Sequence, residues 1–141
     1  LLALDDLTKL LWAVGQGLSP TLCGSSGVVL GLFFTAGGDA AAGGRSMVAA
    51  LKDGRVRVQQ IGGAELGGRD MGAGVKPGLN ALEEKDLSAA ADAARKGAVH
   101  TSTIVKAKAG RASYINAEQL EGHIDPGAEA VARLFEQLSA Q

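Results

Sequence analysis

Alanine and glycine supply about a third of this chain, 25 and 21 of its 141 residues, whereas only 5 residues are aromatic. Small side chains allow helices to pack closely, whereas β-branched and aromatic residues are the ones that build sheets. The composition therefore favours an all-α fold over an all-β fold.

Length and charge restrict the class of protein further. A chain of 141 residues is the length of one ordinary domain, and we expect a single domain over residues 1–141. Its net charge of −1 lacks the basic excess of a nucleic-acid or anionic-membrane binder, and no apolar run approaches the roughly 20 residues that span a bilayer. The single Cys23 excludes an internal disulfide and is expected to be a small core residue. We expect a soluble, cytoplasmic protein with no nucleic-acid or membrane partner.

Hydrophobic periodicity and capping residues predict the order of helices. Residues 6–14 carry leucine or valine at i, i+3, i+4 and i+7, which is the one-face pattern of a helix. Asp125 followed by Pro126 is a typical helix start. In chain order, the first half predicts a helix at 6–14, a break at 15–17, a helix capped by a serine hydroxyl before 28–34, a loop at 36–44, and a helix at 45–60 disturbed at Gly54. The second half predicts a flexible glycine-rich segment at 61–72 and helices at 77–84 and 86–108. Gly110 is expected to end the second of these helices, and a connector of about fifteen residues follows it. A last helix is expected from 126, and the residues on its apolar face are Val131, Leu134, Phe135 and Leu138. The sum is a barrel or bundle of antiparallel amphipathic helices.

Two of the predicted helix starts could carry chemistry. At Ser25 and Ser26, free N–H groups, two hydroxyls and flanking glycines would suit a phosphate group, although an ordinary N-cap explains the same residues. At Asp125, the carboxylate is a good cap that would repel an anion, so contact with a base or a ribose is the alternative to plain capping. Neither segment matches a P-loop or a Rossmann fingerprint.

Four segments, taken in order, closely resemble the nucleotide-binding domain of dihydroxyacetone kinases, which also occurs as a separate L subunit. The resemblance covers nearly the whole chain from about residue 7. The segments are GSSGVVLGLFF at 24–34, IGGAELGGRDM at 61–71, GRASYI at 110–115 and DPGA at 125–128. The family fold is a barrel of antiparallel helices that binds ATP or ADP with magnesium at one end, which agrees with the all-α prediction.

The resemblance implies a set of nucleotide-binding residues. Ser25 and Ser26 would hold phosphate oxygens, and Arg111 would help to close the pocket, although it could equally cap a helix C-terminus. The remaining implied residues are Gly62, Asp70 and Met71, which would line the pocket, and Asp125, Pro126 and Gly127, which would border the adenine and ribose.

The sequence departs from the family pattern in two places. Where the family usually reads Gly-Asp-Arg-Thr-Met, residues 67–71 read Gly-Gly-Arg-Asp-Met. The aspartate-rich loop that binds two magnesium ions in the family is missing, so no metal ligand and no catalytic residue can be assigned. Residues 1–5 resemble the segment that precedes that loop. We therefore expect an omitted stretch or a truncation near the N-terminus, with natural loss of the loop as the alternative.

The resemblance implies an ATP-binding domain of a dihydroxyacetone-type kinase, which phosphorylates a terminal hydroxyl of a small keto-sugar with Mg-ATP. A separate domain or subunit would hold the sugar, and a homo-oligomer is left open. One alternative is the phosphotransferase-system L subunit, which keeps ADP bound and receives phosphate from a phosphocarrier protein. Another is a non-catalytic nucleotide-binding or regulatory domain.

Overall fold

The computed structural model describes residues 5–62, 68–108 and 111–141, and every regular element in that part of the chain is a helix. The all-α prediction is therefore confirmed. The chain divides into two compact units, residues 1–63 and residues 64–141. None of the helices in the described ranges is long and apolar enough to cross a membrane.

The first unit contains three helices, α1 (Leu7–Thr21), α2 (Ser25–Ala42) and α3 (Met47–Gly62). Helix α2 packs against both α1 and α3. Close packing occurs at glycines: a Cβ on Gly38 would collide with the Trp12 ring, and a Cβ on Gly54 would collide with the Phe33 carbonyl oxygen. Trp12 Nε1 also donates a hydrogen bond to Asp39 Oδ1 at 3.0 Å.

These contacts explain why three predictions for the first unit are wrong. Helix α1 does not end at residues 15–17, because Gly15 is buried against α2 and the helix continues to Thr21. The loop predicted at 36–44 is mostly the last part of α2, where Gly37 and Gly38 are buried. Gly54 does not disturb α3, since the missing side chain is what lets α3 contact α2. Cys23, expected in the core, is exposed.

The second unit is built on α4 (Gly72–Glu84), α5 (Leu87–His100) and α7 (Pro126–Ser139). Helices α4, α5 and α7 pack against one another. Two short 3₁₀ turns (Thr101–Thr103 and Arg111–Tyr114) and the one-turn helix α6 (Ala117–Leu120) lie between α5 and α7. Small residues dominate the buried hydrophobic positions, which are Leu79, Ala90, Ala91, Ala94, Ala98, Ala107, Leu120, Ala128, Ala132 and Phe135.

An ion-pair network joins α5 to α7. Arg95 Nε lies 2.7 Å from Glu136 Oε1, and Arg95 also pairs with Glu129. Arg133 contacts Glu129 from the next turn of α7 at 2.7 Å. These hydrogen bonds to Arg95, and then those to Arg133, lower the pKa of Glu129 to about 2.

The second unit also corrects several predicted boundaries. Helix α4 begins at Gly72, so Pro77 lies inside it rather than in its first turn. Helix α5 begins at Leu87, one residue after its predicted start at Asp86, but it ends at His100 rather than 108. The Asp86 carboxylate caps the helix by accepting from the Ala89 N–H at 2.8 Å. The hydroxyls of Thr101, Ser102 and Thr103 bond back to carbonyls three residues earlier, which competes with continuation of the helix. Gly110, predicted as the end of that helix, lies outside the described residues.

The last helix confirms its predicted start and corrects its predicted face. Asp125 caps α7 and Pro126 is its first residue. The buried residues of α7 are Ala128, Ala132 and Phe135, whereas Leu134 and Leu138 are exposed. Alanine therefore forms most of the packed face, as the small-residue composition suggests. The flexible segment predicted at 61–72 falls partly on residues 63–67, outside the described residues.

Candidate functional site

In the first unit, the two candidate serines lie at a helix N-terminus. Ser25 and Ser26 are the first two residues of α2, and both are exposed. The N-cap is Gly24 and not a serine, which corrects the expected hydroxyl cap. Gly24 has φ +69°, a left-handed conformation that favours glycine. The serine hydroxyls therefore stand at the positive end of an 18-residue helix without serving as its N-cap.

The other candidate residue of this unit is Gly62. It is the last residue of α3 and is exposed, and a Cβ added to it would meet nothing within 4 Å. Among the described residues, none therefore forms a pocket wall next to Gly62.

In the second unit, two segments far apart in sequence meet at the starts of α4 and α7. Asp70 and Met71 immediately precede α4, and Asp125 caps α7. A Cβ added to Gly127 would lie 3.2 Å from Met71 Cβ and 3.1 Å from Asp125 Oδ2. The structure thus brings together four candidate residues that the sequence predicts for one pocket: Asp70, Met71, Asp125 and Gly127.

The two carboxyl groups of this site are held by backbone N–H groups. Asp70 Oδ1 accepts from the Gly72 N–H at 2.7 Å, and Asp125 Oδ2 accepts from the Ala128 N–H at 3.0 Å. Burial raises the pKa of Asp70 above its usual value; the Gly72 N–H opposes this rise, and the neighbouring Asp125 carboxylate adds to it. The site therefore has a negative character that disfavours a phosphate group close to Asp70.

Arg69 is a buried residue of this site that sequence reasoning did not single out. Its side chain is 4% exposed, and its Nη1 donates to the carbonyls of Thr101 at 2.8 Å, His123 at 2.6 Å and Ile104 at 3.3 Å. No pattern of side chains predicts these contacts, because all three acceptors are backbone oxygens. Two signals were available: an arginine inside a glycine-rich segment, and the arginine of the family pattern at the same position.

Thr101 links the same segments through its hydroxyl. The side chain is fully buried, and Oγ1 accepts from the Asp125 N–H at 2.8 Å while donating to the Ala98 carbonyl at 2.6 Å. The N-cap of α7 is therefore fastened to the end of α5.

The remaining candidates lie at the edges of the described part. Pro126 is exposed at the first position of α7. Arg111 begins the 3₁₀ turn Arg111–Tyr114, and its side chain lies outside what the structure describes. Within the described ranges, no three side chains of His, Cys, Asp or Glu gather into a group that could hold a metal ion. These residues therefore do not fit a magnesium site of the aspartate-rich kind.

Comparison with known proteins places this helical chain in a family. The family model described as the DAK2 domain matches residues 2–140, so the chain belongs to the DAK2 domain family. It is 41% identical over 140 residues to the dihydroxyacetone kinase of Citrobacter freundii, covering 98% of this chain. It is 33% identical over 138 residues to an ADP-binding subunit, DhaL, of a PEP-dependent dihydroxyacetone kinase of Listeria innocua, covering 89% of this chain.

Solved structures give the same family and the same fold. The native crystal structure of the C. freundii dihydroxyacetone kinase matches with a TM-score of 0.84 and 38% identity, over 99% of this chain and 24% of that one. The same enzyme in complex with AMP-PNP and Mg²⁺ matches with a TM-score of 0.81 and 35% identity. The chain spans 25% of the length of the C. freundii kinase and 63% of the L. innocua subunit.

Proposed function

We propose that this chain is the ATP-binding domain of a dihydroxyacetone-type kinase, which transfers a phosphoryl group from Mg-ATP to a terminal hydroxyl of a small keto-sugar. The observation that carries the proposal is the meeting of Met71 with Gly127 at the starts of α4 and α7. These residues belong to two separate family motifs, and membership of the DAK2 family supports a common role for them.

We assign the base and ribose end of the nucleotide to the second unit. Met71 is partly exposed and Pro126 is exposed, so both offer apolar surface on which a purine ring can pack. Asp125 contributes mainly by holding the turn, since its carboxylate caps α7 and its side chain is 7% exposed. The carboxyl of Asp70 can accept from a ribose hydroxyl but repels phosphate, which supports this orientation.

On the resemblance to the family, we assign phosphate binding to Ser25 and Ser26 of the first unit, and the same resemblance makes Gly62 and Arg111 further nucleotide-binding residues. Exposed hydroxyls at the start of a long helix can donate to phosphate oxygens, and the free N–H groups of the first turn attract anions. The magnesium ligands would come from outside the described residues, which offer no such cluster. A dihydroxyacetone-binding domain or subunit would supply the sugar site, in keeping with the fraction of the C. freundii kinase that the chain spans.

Calorimetry with ADP and with ATP tests the proposal. Replacing Ser25→Ala and Ser26→Ala together should weaken binding by about 1–3 kcal/mol, or about 5- to 150-fold, because two hydrogen bonds to a charged phosphate are lost. The matched control is Ser88→Ala, since Ser88 is exposed at the second position of α5, as Ser26 is in α2. If the double variant keeps its helicity and binds nucleotide as tightly as the original chain, Ser25 and Ser26 do not bind phosphate. If the original chain binds neither ADP nor ATP, the proposed ATP-binding function is rejected.

The L subunit reading is the second candidate, because the L. innocua relative is an ADP-binding subunit. ADP retained through purification would favour it, whereas exchange with bulk ATP and turnover with the sugar-binding partner would favour the kinase. A third reading, a non-catalytic nucleotide binder, requires binding that magnesium does not strengthen. Tighter binding with magnesium would therefore contradict that third reading.

A further inference from the structure

We propose that Arg69 is a positioning residue for the nucleotide site, which holds the segment leading into α7 in register with Met71. The proposal rests on the proposed function, since the site that Arg69 positions is the proposed base and ribose site. Arg69 itself touches neither base nor phosphate in this view. It acts through the backbone that carries Asp125 and Gly127.

The first step concerns the three backbone carbonyls that accept hydrogen bonds from Arg69. Two of them, the carbonyls of Thr101 and Ile104, lie just after α5, at the start and at the C-cap of the 3₁₀ turn, and the Thr101 carbonyl also accepts the Ile104 N–H at 3.1 Å. The third is the carbonyl of His123, two residues before the N-cap of α7. One guanidinium therefore ties the end of α5 to the segment that begins α7.

The second step is a parallel link through Thr101. Its carbonyl accepts from Arg69, and its hydroxyl accepts from the Asp125 N–H at 2.8 Å. Arg69 therefore reaches the α7 N-cap by two routes, one through His123 and one through Thr101. Because Arg69 directly precedes Asp70 and Met71 in the chain, the same residue holds both sides of the Met71–Gly127 contact.

The third step separates positioning from simple stabilisation. The buried Nε of Arg69 has no hydrogen-bond partner among the residues that the structure describes. The three hydrogen bonds that the structure describes for Arg69 all run from Nη1 to carbonyls at the end of α5 and before α7. This favours a role in placing the α7 start over a role in holding the unit together.

Amide hydrogen exchange and calorimetry with ADP, measured on the same variants, test the proposal. Arg69→Met removes the Nη1 donor and with it all three hydrogen bonds to carbonyls, and Thr101→Val removes only the hydroxyl that receives the Asp125 N–H. Each should weaken ADP binding by about tenfold or more, because small displacements of binding groups are costly. Each should also speed exchange of the Asp125 and Ala128 amides without nucleotide. Thr101→Ser keeps the hydroxyl and should restore both readouts.

The control for general loss of stability is Arg95→Met, which breaks the ion pairs between α5 and α7 without touching His123 or Thr101. It should lower the unfolding midpoint and leave ADP affinity within about twofold of the original. That change is well below the tenfold loss, equivalent to about 1.4 kcal/mol, that is expected for the two positioning variants. If Arg69→Met does not fold, Thr101→Val and Thr101→Ser carry the test.

The outcomes separate the two proposals. ADP bound equally well by the original chain, by Arg69→Met and by Thr101→Val would overturn the positioning role and leave the proposed function standing. Unchanged exchange at Asp125 and Ala128 in both variants would also overturn it. A chain that does not bind ADP at all would overturn the proposed function and, with it, the positioning role.

Discussion

The contact between Gly97 and the Ala73 carbonyl gives the sharpest stability prediction. Pro77 lies inside α4 and has no N–H, so the Ala73 carbonyl four residues earlier lacks its helical donor. Gly97 of α5 lies directly against this carbonyl: a Cβ at Gly97 would collide with the Ala73 oxygen and would lie 2.9 Å from its carbon and 3.0 Å from Pro77 Cγ. The change Gly97→Ala therefore forces two helix backbones apart.

The expected size of the effect follows from two opposing terms. Alanine is favoured over glycine inside a helix by about 1 kcal/mol, and this term alone would stabilise the variant. Overpacking a close contact costs about 1–3 kcal/mol, and here the cost should reach the upper end because the obstacle is backbone and cannot rotate away. Separating α4 from α5 also loosens the packing of Ala94 and Ala98, both buried. We expect a net loss of about 1–2 kcal/mol in the free energy of unfolding, which is the upper-end overpacking cost less the propensity gain.

Denaturant unfolding followed by circular dichroism measures this loss as a lower midpoint at unchanged slope. The matched control is Gly17→Ala in α1, where an added Cβ meets nothing within 4 Å. That change should stabilise the chain by about 0.5–1 kcal/mol, since only helix propensity operates there. If Gly97→Ala were as stabilising as Gly17→Ala, the close approach of α4 and α5 would be refuted.

Two pH predictions follow from the titrating carboxyls. Glu129 has its pKa lowered to about 2 by Arg95 and Arg133, so its contribution to stability is present above about pH 4.5 and is lost as the pH falls toward 2. Glu129→Gln should flatten that acid loss by on the order of 1 kcal/mol in thermal unfolding, given partial exposure, and an unchanged acid profile would contradict the pairing. The pH dependence that Asp70 contributes has the opposite sign. Because its pKa is raised in the folded state, the folded state binds the proton more tightly than the unfolded state, so the free energy of unfolding falls as the pH rises above 3.8. Asp70→Asn keeps an oxygen that can accept from the Gly72 N–H, and this variant should become more stable than the original chain as the pH rises. If burial of the charge is the cause, that difference in stability must vanish below pH 3.8.

The parts of the fold that the sequence predicted are those set by local chemistry. The helical class follows from the abundance of small residues, and the starts of α5 and α7 follow from Asp86 and Asp125, whose carboxylates cap helices within three residues of themselves. The parts that failed depend on distant contacts. Glycine reads as a break from local propensity, yet Gly15, Gly38 and Gly54 lie inside helices because neighbouring helices fill the space that a side chain would occupy.

The same distinction applies to the candidate site. The resemblance to the family implied that residues 70–71 and residues 125–127 share a pocket, whereas the local pattern placed residues 70–71 in a flexible segment and not at a helix start. Arg69 was missed because its partners are carbonyls at Thr101, Ile104 and His123, and carbonyls carry no sequence signal. The predictions that Cys23 lies in the core and that Leu134 lies on the packed face of the last helix were wrong for a related reason, because both residues are exposed. Hydrophobicity alone does not say which neighbour covers a residue.

The departure from the family pattern at residues 67–71 can now be interpreted physically. A threonine hydroxyl and an aspartate carboxylate can both accept the N–H two residues ahead, and the Asp70 carboxylate does so at 2.7 Å from the Gly72 nitrogen. Aspartate at this position therefore preserves the turn that starts α4, while it adds a buried charge beside Asp125. The arginine of the motif is retained as Arg69. The segment therefore loses one acid at Gly68 and gains one at Asp70, and under the proposed function a nucleotide at this wall would present hydroxyls or a base to Asp70 and keep its phosphates away.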